Sequence, residues 1–460
     1  MNVITVTVAT APTGALARLG QAMARHRRAI LVIQWTVVVF YLALVTLPAF
    51  LPLPGEDTHI WNDLTRLAQF VFWGVWWPFV MLSMMAFGRV WCGVFCPEGA
   101  LTEFVSRRGL GRAIPRWMRW GGWPFVAFVS TTVYGQLVSV YEYPKAALLV
   151  LGGSTVAAVA IGYVYGRGTR VWCRHLCPAN GVFRLLARLA PLHFRADETA
   201  WKQSPRRMKA VDCAPLVDLR HLRSATACHA CGRCSGHRGA VWLTARSPNA
   251  EILAAEPVSR WEVALLLFGV LGLATGAFQW SASPWFVALK QTSAIWLIEH
   301  EALTLLQDNA PWWLLTHYPE ANDVFTWLDG LCILLYLGTY ALGVGGFALA
   351  MLWLAQKLLG RASLMWRLAL ALVPLAGASV FLGLSMLTTT QLAAERVTLP
   401  WLPEARTLLL GLALAWSAAL AARLIQPLGA SIARRLLAWG ATLVAMLPVA
   451  TLWWLQFHRW

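Results

Sequence analysis

The chain has 460 residues, 58% of them hydrophobic and only 13% charged, with 27 tryptophans. Soluble globular proteins carry about 45–50% apolar and about 25% charged residues, so the composition excludes a soluble enzyme and a disordered chain alike. The net charge of +17 comes from 38 Lys and Arg against 21 Asp and Glu, scattered between apolar runs with no separate basic domain; it reads as loop charge held in the cytoplasm, not as a nucleic-acid surface.

Stretches of about 20 apolar residues recur, so an all-α integral membrane protein is expected. Residues 1–28 carry Arg18, Arg25, Arg27 and Arg28 and read as a cytoplasmic N-terminal segment, followed by an uncleaved anchor. Nine transmembrane helices are expected, at 29–52, 67–87, 121–140, 146–165, 261–282, 327–355, 366–387, 405–424 and 437–457. Segment 54–65 has Glu56, Asp57 and Asp63 and no Lys or Arg, whereas 166–260 has sixteen Lys or Arg against six Asp or Glu. Alternation of this kind predicts an N-in, C-out topology. Residues 29–190 form a four-helix unit, 191–260 a small cytoplasmic domain, and 261–460 a five-helix domain. Its outer loop 284–326, with Trp296, Trp312 and Trp313 near His300 and His317, predicts amphipathic helices lying on the membrane.

Eight of the nine cysteines fall between residues 92 and 234. Arg89-Val90-Trp91-Cys92 recurs as Arg170-Val171-Trp172-Cys173, and each copy continues as Cys-x3-Cys-Pro, through Cys96-Pro97 and Cys177-Pro178. Two spans per unit make the copies parallel, so both cysteine pairs face the cytoplasm and meet near one axis. Proline suits the first turn of a helix, which places Cys96 and Cys177 at helix N-termini, where free amides stabilise thiolate charge. Cys92, Cys96, Cys173 and Cys177 then offer four soft ligands, suited to an iron–sulfur cluster; zinc or a dithiol pair is the alternative.

The second group is Cys228-His229-Ala230-Cys231-Gly232-Arg233-Cys234. Cys-x2-Cys-x2-Cys opens the bacterial ferredoxin run, but the closing Cys is replaced by Arg238. A single [4Fe-4S] cluster with a fourth ligand from elsewhere is expected. Cys213, followed by Ala214-Pro215, is the candidate; His229 and His237 are weaker ones, and a four-cysteine zinc site is the alternative. Cys332, alone inside a span, reads as a core residue. His59, His300 and His317 lie on the outer side, and Arg206, Arg207 and Lys209 offer a docking patch for an acidic carrier. Fingerprints for NAD, FAD, ATP and covalent haem are absent.

Arg89 to Pro97, Trp172 to Pro178 and the ferredoxin-type run together resemble the membrane polyferredoxin-like 4Fe-4S family, over roughly residues 30–250. That family includes the quinol-oxidising membrane subunit of periplasmic nitrate reductase, the nitrous oxide reductase support flavoprotein and a haem–copper oxidase assembly protein. The chain departs from it in having one incomplete ferredoxin run, no outer flavin domain, and five last spans that match no part of the family. The resemblance implies a bacterial inner-membrane protein with its clusters on the cytoplasmic side. Its function would be electron transfer between a cytoplasmic carrier, an acidic ferredoxin-like protein or a reductase, and quinone or a membrane or periplasmic redox subunit. The alternative is a redox assembly factor that reduces a metal, or matures a metal site, for a respiratory enzyme.

Overall fold

The computed structural model describes residues 14–55, 57–204, 211–254 and 258–460. In chain order the main helices are α1 (Ala15–Arg25), α2 (Arg27–Phe50), α3 (Leu64–Phe87), α4 (Pro97–Ser106), α5 (Trp123–Leu137), α6 (Pro144–Tyr165), α7 (Asn180–Leu186), α8 (Arg260–Ala282), α9 (Pro284–Glu299), α10 (Trp327–Leu359), α11 (Leu364–Ala394), α12 (Leu402–Ile425) and α13 (Ile432–His458). Among the described residues, eight of these, α2, α3, α6, α8 and α10 to α13, are long and apolar enough to cross a membrane. This is the pattern of a multi-pass helical membrane protein.

The ninth expected span, 121–140, is shorter than its apolar run. Gly121, Gly122 and Pro124 delay the start of α5, and Ser139, at a φ of 50°, lies in the turn that follows it, leaving 15 helical residues. The helix still runs from one end of the bundle to the other. Trp120 packs on Trp261 at the start of α8, at 4.8 Å, while the Leu137 carbonyl accepts the Thr316 N–H at 2.8 Å. The 284–326 segment also differs from expectation. α9 is one helix whose apolar residues are spread round it and not gathered on one face, with Phe286 and Leu297 buried and Trp285, Val287, Ile295 and Trp296 exposed.

Two contacts tie the bundle together. Pro78 has no N–H to give the carbonyl four residues back, that of Gly74. The freed carbonyl is taken by the Thr388 hydroxyl of α11 at 2.6 Å, and the helix widens over Phe70–Trp76. The other contact joins α8 to α10. α10 starts on a reciprocal cap between Thr326 and Asp329, and its Tyr340–Ala341 backbone lies so close to Gly272 that a Cβ there would be 2.8 Å from the Ala341 Cα.

The extramembrane insert is closed by strand β1 (Leu192–Ala196) pairing antiparallel with β2 (Val241–Ala245), in the register Leu192 to Ala245 and Ala196 to Val241. Phe194, Leu222, Val241 and Leu243 form its core. Helix α1, which the sequence leaves as a plain cytoplasmic segment, covers that core: Gly20 lies against Phe194 and Leu243, and Met23 against Gly232. The expected docking residues Arg206, Arg207 and Lys209 lie outside the described residues.

Gly272→Ala should cost about 1–3 kcal/mol, because the β-carbon meets backbone that cannot yield; the midpoint of unfolding in a denaturing-detergent titration reads this. A second expectation concerns His193 on β1, which is 7% exposed. Burial first, then Arg246 and Arg195, hold its imidazole down to about 4, against about 6.5 in an unfolded chain. The neutral ring therefore contributes stability that is present above about pH 6.5 and lost as pH falls through about 4, on the order of 3 kcal/mol. Hydrogen exchange of the β1–β2 amides should accelerate across that window, and His193→Leu should flatten the change.

Candidate metal centre

α3 ends at Gly88, whose φ of 67° turns the chain into the first cysteine motif. Cys96 leaves that motif extended and caps α4: its Sγ accepts the Gly99 N–H at 3.4 Å, with Pro97 in the first turn. The second motif is built differently. A turn at Pro178 and Ala179 separates Cys177 from α7, which begins at Asn180, whose N–H donates to the Cys177 carbonyl at 3.1 Å. Only Cys96 of the two takes the expected position at a helix N-terminus.

The two motifs nonetheless converge. Cys96 and Cys177 each lie within electrostatic reach of Cys92 and Cys173 as well as of each other. Cys92 and Cys173 are 6% and 7% exposed, and burial pushes the Cys173 thiol up to about 12. Glu98, which the sequence reading passed over, stands among them, accepting hydrogen bonds from Ser154 at 2.7 Å and from the Trp172 indole at 3.0 Å. Burial pushes its carboxyl up.

The second group also assembles. Cys213, Cys228 and Cys234 each lie within reach of Cys231, and Cys213 interacts with both Cys228 and Cys234. Cys213 is therefore the residue beside the run, 15 positions before it begins. His229 is buried with its Nδ1 unpartnered, and its ring interacts with Arg89, Arg170 and Arg174. His237 packs edge-on to Trp201. Burial pushes the Cys228 thiol up to about 12 and the Cys213 thiol upward. Left-handed backbone at Ala230 and Gly232 coils the run and brings the Ala230 N–H to 3.3 Å from the Cys228 Sγ.

The arginines that open the two motifs brace both groups. Arg89, 3% exposed, donates to the Asn180 side chain of the other copy at 2.8 Å and to the Thr226 carbonyl at 2.7 Å, and lies 3.7 Å from the Cys92 Sγ. Arg170, 1% exposed, reaches the other way, donating to the Cys92 carbonyl and to Glu103 on α4 at 2.9 Å. Glu103 also binds Arg233, inside the ferredoxin-type run, at 2.6 Å, and Arg107 at 3.2 Å. Burial pushes the Glu103 carboxyl up, but Arg170 and Arg233 together hold it below its ordinary value. The two groups are neighbours: a Cβ on Gly93 would lie 2.0 Å from the His229 carbonyl oxygen and 2.9 Å from the Cys231 nitrogen.

These donor sets fit iron–sulfur clusters. Each offers four thiols, none in a disulfide, with N–H groups directed at sulfur, the kind of outer contact that tunes a metal–thiolate centre. Among the described residues, no three Cys, His, Asp or Glu side chains close on a point that would hold one ion. The remaining expected candidates stand apart. His59 pairs with Glu395 at 2.8 Å, the His300 Nδ1 is bonded to the Trp296 carbonyl, and Cys332 is a 1% exposed core residue. The His317 Nδ1 is buried without a partner among the described residues.

The family model of a 4Fe-4S binding domain matches the chain twice, over 69–119 and over 148–196. Each match holds one spanning helix and one Cys-x3-Cys-Pro motif, so the repeat read from the sequence is the unit that indicates 4Fe-4S binding. No curated protein and no solved structure matches the chain.

Glu103→Gln should leave Arg170 buried with its charge unanswered and Arg233 with only Asp212, 4.0 Å away, at a cost of about 3–5 kcal/mol. Limited proteolysis within 191–260 should accelerate, whereas cleavage in the α10–α11 connection should not change.

Proposed function

We propose that this chain is a membrane-bound iron–sulfur electron-transfer protein. It would relay electrons between a cytoplasmic carrier and quinone or a membrane or periplasmic partner. The observation that carries the reading is the adjacency of two four-thiol groups, separated only by Gly93, Arg89 and Arg170. Cys213, Cys228, Cys231 and Cys234 would hold one [4Fe-4S] cluster, and Cys92, Cys96, Cys173 and Cys177 a second. Such clusters, when bound, supply reversible one-electron transfer.

The chain's own residues supply the setting. Arg89 and Arg170 place buried positive charge between the groups, and nearby positive charge favours the reduced, more anionic state of a thiolate-bound centre. Three of the eight cysteines, Cys92, Cys173 and Cys234, are buried and the other five are half-buried. Transient redox thiols sit in exposed electropositive sites, whereas none of these eight cysteines is exposed, which supports permanent ligands over the assembly-factor reading.

One cavity suits the proposed membrane-side acceptor. A cavity of about 170 Å³ opens in the bundle, lined by Trp73, Trp77, Phe128, Tyr141, Phe278 and, next to Cys177, Pro178. Its aromatic walls suit a quinone ring, and the Thr131 and Thr132 hydroxyls on its lining can meet ring oxygens. The positive-inside charge pattern puts the motif end of the bundle in the cytoplasm.

Iron and acid-labile sulfide per chain decide the reading. Anaerobically purified protein should hold about eight iron, and Cys92→Ser/Cys173→Ser about four. About four in both would remove the membrane-side cluster and with it the relay.

A further inference from the structure

Beside the Cys228 run lies a second cavity, of about 240 Å³, with a different character. Its walls carry Arg89, Arg119, Arg174, Arg184, His175 and His229, and among the described residues no carboxylate lines it. Some of this charge is engaged. Arg184 donates to Glu262 at 3.1 Å, a carboxylate already shared with Arg188, and Arg174 donates to the Pro215 carbonyl at 3.0 Å. The rest is not. The Arg89 Nε, the Arg184 Nε and the His229 Nδ1 are buried without a hydrogen-bond partner among the described residues, and His229 as a whole is 2% exposed. The Arg119 side chain makes no ion pair and no hydrogen bond there. Arg89 is buried and Arg184 half-buried, while Arg119 and Arg174 are exposed; four cations lining one space favour an anion with several acceptor oxygens.

We propose that this cavity binds a phosphate group, and that its source is the headgroup of an anionic phospholipid. Guanidinium forks match phosphate oxygens in pairs, and Asn180, which also lines the cavity, positions two of the arginines, accepting from Arg89 at 2.8 Å and donating to the Arg174 carbonyl at 3.2 Å. The position indicates the lipid. Trp120 lines the cavity and belongs to an aromatic group with Trp117, Trp123 and Trp261, the rings of Trp120 and Trp261 lying 4.8 Å apart and those of Trp120 and Trp123 5.8 Å apart. Tryptophans of this kind lie at headgroup depth, where a diacyl phosphate would present its head to the arginines and leave its chains outside. The site uses no cysteine, although Arg89 and His229 also border the two cysteine groups.

The test uses full-length protein in nanodiscs of phosphatidylcholine with or without phosphatidylglycerol. Retained lipids are counted by native mass spectrometry, and inorganic phosphate binding is measured by equilibrium dialysis in a neutral detergent. One phosphatidylglycerol should be retained, with an affinity that falls about ten-fold or more in R119Q and further in R119Q/R174Q, while phosphatidylcholine binding does not change. Saturable inorganic phosphate binding that R119Q weakens, without lipid retention, would uphold the phosphate site and give it a soluble source. Binding of neither probe, or binding that both variants leave intact, overturns the proposal. Iron content is measured on the same samples, so that loss of the cysteine centres is distinguished from loss of this site.

Discussion

Glu103 is 3% exposed and surrounded by three guanidinium groups, those of Arg107, Arg170 and Arg233. A lone carboxylate at that depth would pay heavily for leaving water, and each of the two buried arginines would pay alike. Together they offset one another, and the geometry that does so requires three chain segments in one place. α4 follows the first cysteine motif, Arg170 opens the second, and Arg233 lies inside the ferredoxin-type run. The triad is therefore a register device of the kind for which buried ions are best suited: no one segment can shift without stranding a charge.

Arg89 completes the arrangement. Each motif's first residue braces the other copy, Arg89 through Asn180 and Arg170 through Glu103 and the Cys92 carbonyl. The two copies thus interlock instead of merely adjoining. Their likeness is incomplete: Asn180, held by Arg89, starts α7 three residues after Cys177, whereas α4 starts directly on Pro97. The partners of the two arginines differ, one neutral and one acidic, and that difference leaves Arg170 free to recruit Arg233 through their common carboxylate.

Much of this was legible before any coordinates. The long apolar runs gave their helices, because hydrocarbon admits little else, and the repeated Arg-Val-Trp-Cys gave the unit that the 4Fe-4S family model matches. Cys213, read from the sequence as a fourth ligand, lies beside the other three of its group. What stayed hidden was mostly a matter of partners. Arg89 and Arg170 read as topology charges, although their recurrence in both copies was a signal that they do more. Glu98 and Glu103 belong to no motif; only packing shows that Trp172 and Arg170 close on them. Helix α1 could not be placed on the insert, since nothing in its pattern says what its buried face meets. α5 was over-read because apolar residues continue past Leu137 while the backbone has already turned.

The proline in α3 bears on how the protein is made. Pro78 frees the Gly74 carbonyl, and its substitute donor, Thr388, lies 314 residues further along the chain. A ribosome threading this protein into a bilayer delivers α3 early and α11 late. Until α11 arrives, α3 carries an unanswered polar group at a depth where water is scarce, a defect worth several kcal/mol. The N-terminal half, which holds every cysteine of the two groups, is thus completed by the half that holds none, and its finished form waits on synthesis of the C-terminal spans.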